Sequence, residues 1–127
     1  MIFLETSFLV ALIVPKTKNH KLAKKILNRI EKENKVISEM TIYETLTVLR
    51  KLNQSDEVLK DSYDYLTSLY VLEDIIHYNE ALKYTFTNKI GFFDNLSYVV
   101  MKNNDISEIV SFDKDFHLIN DINVIDK

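Results

Sequence analysis

Short apolar runs alternate with segments of helical periodicity along this chain, and that alternation restricts the folds open to it. Ile2-Phe3-Leu4, Val36-Ile37, Ile109-Val110 and Val124-Ile125 lie in runs too short for helices and apolar enough for burial on both faces. Strands are therefore expected over residues 1–5, 35–38, 109–112 and 123–125, with a further short one within 71–76. Between them lie helical patterns. Thr6-Ser7 can cap a short helix that ends near Pro15. Over 19–33, Leu22, Ala23, Ile26, Leu27 and Ile30 form one apolar stripe. Helical spacing returns over 40–52, over 57–70 with Ser55 or Asp56 as cap, over 79–87 and over 92–103. Strands alternating with helices argue for an α/β fold with a mostly parallel sheet. The 127 residues suit one domain, 1–127, with a real core.

Composition removes several chemistries. The chain has no Cys, which excludes disulfides, thiolate zinc sites and a cysteine nucleophile. Its single glycine, Gly91, excludes the Gly-rich phosphate loops and the nucleophile elbow, each of which needs at least two. No apolar stretch reaches the ~20 residues that span a bilayer, and the apolar start lacks the basic flank of a signal peptide. A cytoplasmic location with no membrane partner is the expectation. His20, His77 and His117 show no paired-ligand spacing, so surface or capping roles are expected of them. Net charge is −3, yet half of the sixteen basic residues lie between Lys16 and Lys35, opposed there only by Glu31 and Glu33. Lys21, Lys24, Lys25 and Arg29 are candidates for contact with a phosphate backbone, with a solvated helix face as the alternative.

Two of the apolar runs end on acids. Leu4 is followed by Glu5, and Phe112 by Asp113 with Asp115 two residues on. In open α/β sheets, ligands bind outside the carboxyl ends of the strands. Glu44, in the helix after the second strand, and Asp94, in the first turn of the most apolar helix, can reach the same edge. Carboxylates gathered there call for a hard divalent cation such as Mg²⁺ or Mn²⁺. Each acid also has an ordinary explanation: a strand end for Glu5, a solvated helix face for Glu44, the helix dipole for Asp94, and Asx-turns for Asp113 and Asp115.

In this order the acids and their neighbours resemble the PIN domain family. The resemblance is carried by Ile2-Phe3-Leu4-Glu5-Thr6-Ser7-Phe8-Leu9, Ile37-Ser38-Glu39-Met40-Thr41-Ile42-Tyr43-Glu44, Gly91-Phe92-Phe93-Asp94-Asn95-Leu96 and Ile109-Val110-Ser111-Phe112-Asp113-Lys114-Asp115-Phe116. It spans nearly the whole chain, and the small size looks like the VapC-type toxin branch. The resemblance implies a three-layer α/β/α sandwich and a Mg²⁺- or Mn²⁺-dependent endoribonuclease that leaves a 3′-hydroxyl and a 5′-phosphate. It implies catalytic roles for Glu5, Glu44, Asp94 and Asp113, metal binding by Glu5, Asp94, Asp113 and Asp115, and support of the site by Thr6, Ser7 and Ser111. An antitoxin partner and a homodimer are further implications. One position departs from the family: its first acid is ordinarily Asp, and here it is Glu5, whose extra methylene moves the carboxylate by about 1.5 Å. Two other readings stand beside this one: a non-catalytic RNA- or protein-binding domain with a decayed acidic site, and an RNA-processing nuclease without an antitoxin.

Overall fold

A computed structural model describes residues 1–127. The chain runs β1 (Ile2–Leu4), α1 (Thr6–Ile13), α2 (His20–Arg29), β2 (Lys35–Ser38), α3 (Glu39–Lys51), α4 (Asp56–Ser68), β3 (Tyr70–Leu72), α5 (Tyr78–Thr87), α6 (Phe92–Asn103), β4 (Glu108–Val110) and β5 (Asn123–Ile125). Short 3₁₀ turns cover Ile75–His77 and Lys114–Leu118. The five strands form one all-parallel sheet in the order β3-β2-β1-β4-β5.

Alternation along the strands builds two cores, because successive side chains point to opposite faces. Ile2 and Leu4 of β1, Ile37 of β2 and Val110 of β4 join Phe8, Leu9, Ala23, Ile26 and Leu66 from the helices α1, α2 and α4. Phe3, Val36 and Ile109, one residue out of phase, pack instead with Leu96, Val99, Val100 and Met101 of α6 and Ala81 of α5. Helices thus cover both faces, which gives the expected three-layer α/β/α arrangement.

Several boundaries differ from the sequence expectation. Helix α2 stops at Arg29, not at Glu33, and Ile30 closes it with its backbone N–H. Strand β4 ends at Val110, two residues early, because the Asp113 N–H turns back onto Ser111 Oγ at 3.0 Å. The cap of α1 is Glu5, whose carboxylate accepts from the Ser7 N–H at 3.1 Å; Thr6 and Ser7 are already helical. Ser55 caps α4 through the Val58 N–H, as expected. Of the ambiguous 71–76 stretch, the first two residues complete β3 and Ile75–His77 turns as 3₁₀.

Candidate metal centre

From the central strand β1 the chain crosses to β2 and β3 on one side, then returns to place β4 and β5 on the other. The gap between the carboxyl ends of β1 and β4 is the switch point at which such sheets take ligands. Leu4 and Val110 are register partners there, so Glu5 and Ser111 leave the sheet side by side. The Glu5 N–H still donates to the Val110 carbonyl at 3.1 Å.

A cleft of about 440 Å³ opens above this point, lined by Glu5, Glu44, Asp94 and Asp113. Strand β1 delivers Glu5, helix α3 Glu44, the first turn of α6 Asp94, and the loop after β4 Asp113. Residues separated by more than a hundred positions meet because parallel strands share one carboxyl edge. Asp94 and Asp113 of this group, with Asp115 at its rim, each bring a carboxylate oxygen to within 4.8 Å of the other two. That donor set, all hard oxygen, fits a divalent cation of the Mg²⁺ or Mn²⁺ type. The molecule's three ion pairs involve none of these acids, so no protein cation neutralises them.

Glu5 and Glu44 are held differently. Glu5 is buried, and its Oε1 accepts from Ser111 Oγ at 2.6 Å, from the Ser7 N–H and from Ser7 Oγ. Ser7 Oγ also takes the Phe112 N–H at 2.9 Å, which ties α1 to the loop after β4. Glu44 is half-buried on the cleft wall, with Thr6 Oγ1 donating to its Oε1 at 3.5 Å. Thr6 therefore touches Glu44, and Ser7 and Ser111 touch Glu5. Asp113 Oδ1 accepts the Asp115 N–H at 2.9 Å, so the Asx-turn and the acidic cluster are the same feature.

Electrostatics records the crowding. Burial, then repulsion from Asp113 and Glu5, pushes the Asp94 carboxyl up to about 8. Burial and the neighbouring Glu5 push Glu44 up to about 7. Glu5 is raised by burial, against the hydrogen bonds from Ser111 and Ser7. Without a cation, this cleft holds protons at neutral pH.

Sequence reasoning missed three contributors. Asp74, almost fully buried, accepts the Met40 N–H at 2.7 Å through Oδ2, caps the start of α3 and adds to the charge felt by Glu44. Asn95 is fully buried, and its amide reaches Ile90 O at 3.0 Å, Thr85 Oγ1 at 3.1 Å and Asn88 at 2.9 and 3.1 Å. This clamp fixes the entry to α6 beside Asp94. A buried Asn one residue after a helix-start acid is the signal that could have exposed it. Lys18 lines the cleft, whereas Lys21, Lys24, Lys25 and Arg29 do not. Those four are exposed along α2, and Arg29 donates to the Lys127 carbonyl. His20 binds the Ala11 carbonyl and His117 binds Asp126, the local roles expected of them. No helix is long and apolar enough to cross a membrane.

The fold is similar to that of several solved toxins. VapC20 from Mycobacterium tuberculosis, described as a Sarcin-Ricin loop cleaving toxin, superposes with a TM-score of 0.85 at 23% identity, over 96% of this chain and 97% of that one. A toxin-antitoxin complex from Klebsiella pneumoniae gives 0.75 at 16% identity, over 99% and 97%. VapBC2 from Rickettsia felis, bound to a DNA fragment from its promoter, gives 0.71 at 19% identity, over 98% of each chain. At such identities the likeness is one of fold. No protein of curated function matches the chain in sequence. The PIN domain profile, however, matches residues 2–122, nearly the whole length, and runs through every acid of the cleft. With a parallel sheet in this order and carboxylates gathered at its switch point, this chain belongs to the PIN domain family.

Proposed function

We propose that this protein is a Mg²⁺- or Mn²⁺-dependent endoribonuclease, the toxin of a VapBC-type pair. One observation carries the reading: three carboxylates within 4.8 Å of one another, at the switch point of a PIN fold, with two glutamates lining the same cleft. The toxins and toxin-antitoxin complexes that share its fold support it. Asp94, Asp113 and Asp115 would hold the ion, with Glu5 and Glu44 closing the cleft around it. A bound divalent ion supplies Lewis acidity toward a phosphodiester and lowers the pKa of a water. The protein's part is placement. Ser7 and Ser111 hold Glu5, Thr6 steadies Glu44, and Asn95 fixes the helix that carries Asp94. Such fixed geometry is what an in-line displacement demands.

Exposed Ile75, Ile76 and Phe86, each roughly two-thirds or more open to solvent, offer apolar surface for a second copy or an antitoxin. Incubation of purified protein with RNA, Mn²⁺ or a chelator tests the enzyme. Cleavage in Mn²⁺ that is lost in chelator and in Asp94→Asn is the expected result. Equal cleavage by Asp94→Asn would assign the activity elsewhere. Co-purification with the product of an adjacent small gene tests the toxin reading, and light scattering the homodimer.

A further inference from the structure

An acid-lined cleft is a poor receptor for a polyanion unless it also offers positive charge. Thirteen residues line this one, and a single basic side chain, Lys18, is among them. Lys18 makes no ion pair with the acids across the cleft, so its ammonium stays available. Its backbone is fixed. In the turn between α1 and α2, Thr17 Oγ1 donates to the Val14 carbonyl at 2.7 Å and to Ala11 at 3.3 Å. On the other side His20 Nδ1 lies 2.8 Å from the Ala11 carbonyl, and the His20 N–H bonds Thr17 O at 3.2 Å. Residues 17 and 20 are thus both anchored to α1, the helix that Glu5 caps. An exposed lysine on a free loop would lose backbone freedom on binding; this one has little left to lose.

We infer that Lys18 is the phosphate-binding residue of the cleft, holding a phosphodiester of the bound RNA strand beside the acidic cluster. It is a positioning residue. Beyond it, in α2, Lys21 and Lys25 lie four residues apart on one face of the helix, both exposed. The strand therefore enters over the α1–α2 turn and follows α2. The inference rests on RNA being the ligand of this cleft, the reading proposed above.

Binding without turnover separates the two. A fluorescein-labelled single-stranded RNA of about 12 nucleotides and mixed sequence, long enough to span several phosphate contacts, is titrated by anisotropy into Asp94→Asn protein, with and without Lys18→Gln. Lys60→Gln, exposed on α4 and not among the residues that line the cleft, removes the same charge elsewhere. Lys18→Gln should weaken binding about fivefold at moderate salt, and the slope of log K against log salt should shrink by roughly 0.7, one single-strand phosphate contact. Lys18→Arg should restore both. In active protein Lys18→Gln should raise KM with kcat little altered. Equal effects of Lys18→Gln and Lys60→Gln would overturn the inference. Failure of the wild type to cleave, with the Lys18 effect on binding intact, would overturn the nuclease reading alone.

Discussion

Ser111 Oγ donates to Glu5 Oε1 at 2.6 Å, a bond between the residues that immediately follow two paired strands. It joins positions 106 apart in the chain and is buried at both ends. The same hydroxyl accepts the Asp113 N–H, so one serine aligns two acids of the cleft. Ser111→Ala should cost about 1–3 kcal/mol, since a buried carboxylate loses a donor and a backbone N–H loses an acceptor. Urea unfolding at neutral pH measures it, and no change in midpoint would show that solvent replaces the hydroxyl.

Glu5→Asp shortens the first acid of the cleft by one methylene and keeps its charge. In this fold the longer Glu5 reaches Ser7 and Ser111 with one oxygen, and it serves as the cap of α1. The surroundings have therefore adapted to it. The Glu5→Asp variant is expected to bind Mn²⁺ no more tightly and to unfold at a lower temperature by a few degrees. Tighter Mn²⁺ binding by that variant in calorimetry would instead mark Glu5 as a stretched ligand.

Stability of the metal-free protein should fall as pH rises. Unfolded, Glu44 and Asp94 lose their protons near pH ~4. Folded, they keep them up to about 7 and about 8. The folded state thus binds more protons in between, and the stability these groups contribute is full below about pH 4 and is lost as pH climbs through their folded values. Urea midpoints in chelator should be higher at about pH 5 than at about pH 8. Added Mn²⁺ should stabilise most at about pH 8, where its ligands are deprotonated. A midpoint that rises steadily with pH in chelator would contradict the crowding of these carboxyls.

Asp74→Asn keeps the shape of the residue that caps α3 and removes its charge. Since Asp74 adds to the upward push on Glu44, the Glu44 side-chain carbon should titrate at lower pH in the variant by NMR. An unmoved titration would mean that burial and Glu5 account for all of it.

Asn95→Ala should cost about 2–3 kcal/mol, because the clamp joins Thr85, Asn88 and Ile90 at the entry to α6. The Mn²⁺-induced thermal shift should also shrink, because Asp94 loses its fixed base. A normal shift in a destabilised protein would limit Asn95 to folding.

The three central strands were legible in the sequence because they are buried on both faces and read as plain apolar runs. Ile2-Phe3-Leu4 and Ile109-Val110 needed no partner information to be recognised. Glu5 and Asp113 were legible for a related reason, since they end two of the apolar runs. Less visible was what depends on the third dimension. Glu44 shares a helix face with Thr47 and Lys51 on the wheel, and only the packing of α3 against α1 turns it toward Thr6. Asp74 lay in a stretch expected to hold a short strand, and its partner, the Met40 N–H, is 34 residues away. Lys18 was one basic residue among eight until the α1–α2 turn put it on the cleft wall.

The order in which the chain emerges during synthesis gives the site a timetable. Asp113 and Asp115 come after the whole of α1 to α6, and β4 must pair with β1 before either can face Asp94. While these last residues are still inside the ribosome, the exposed part of the chain has Glu5, Glu44 and Asp94 but lacks the two aspartates that complete the cluster. A nascent or C-terminally truncated chain is therefore chemically incomplete.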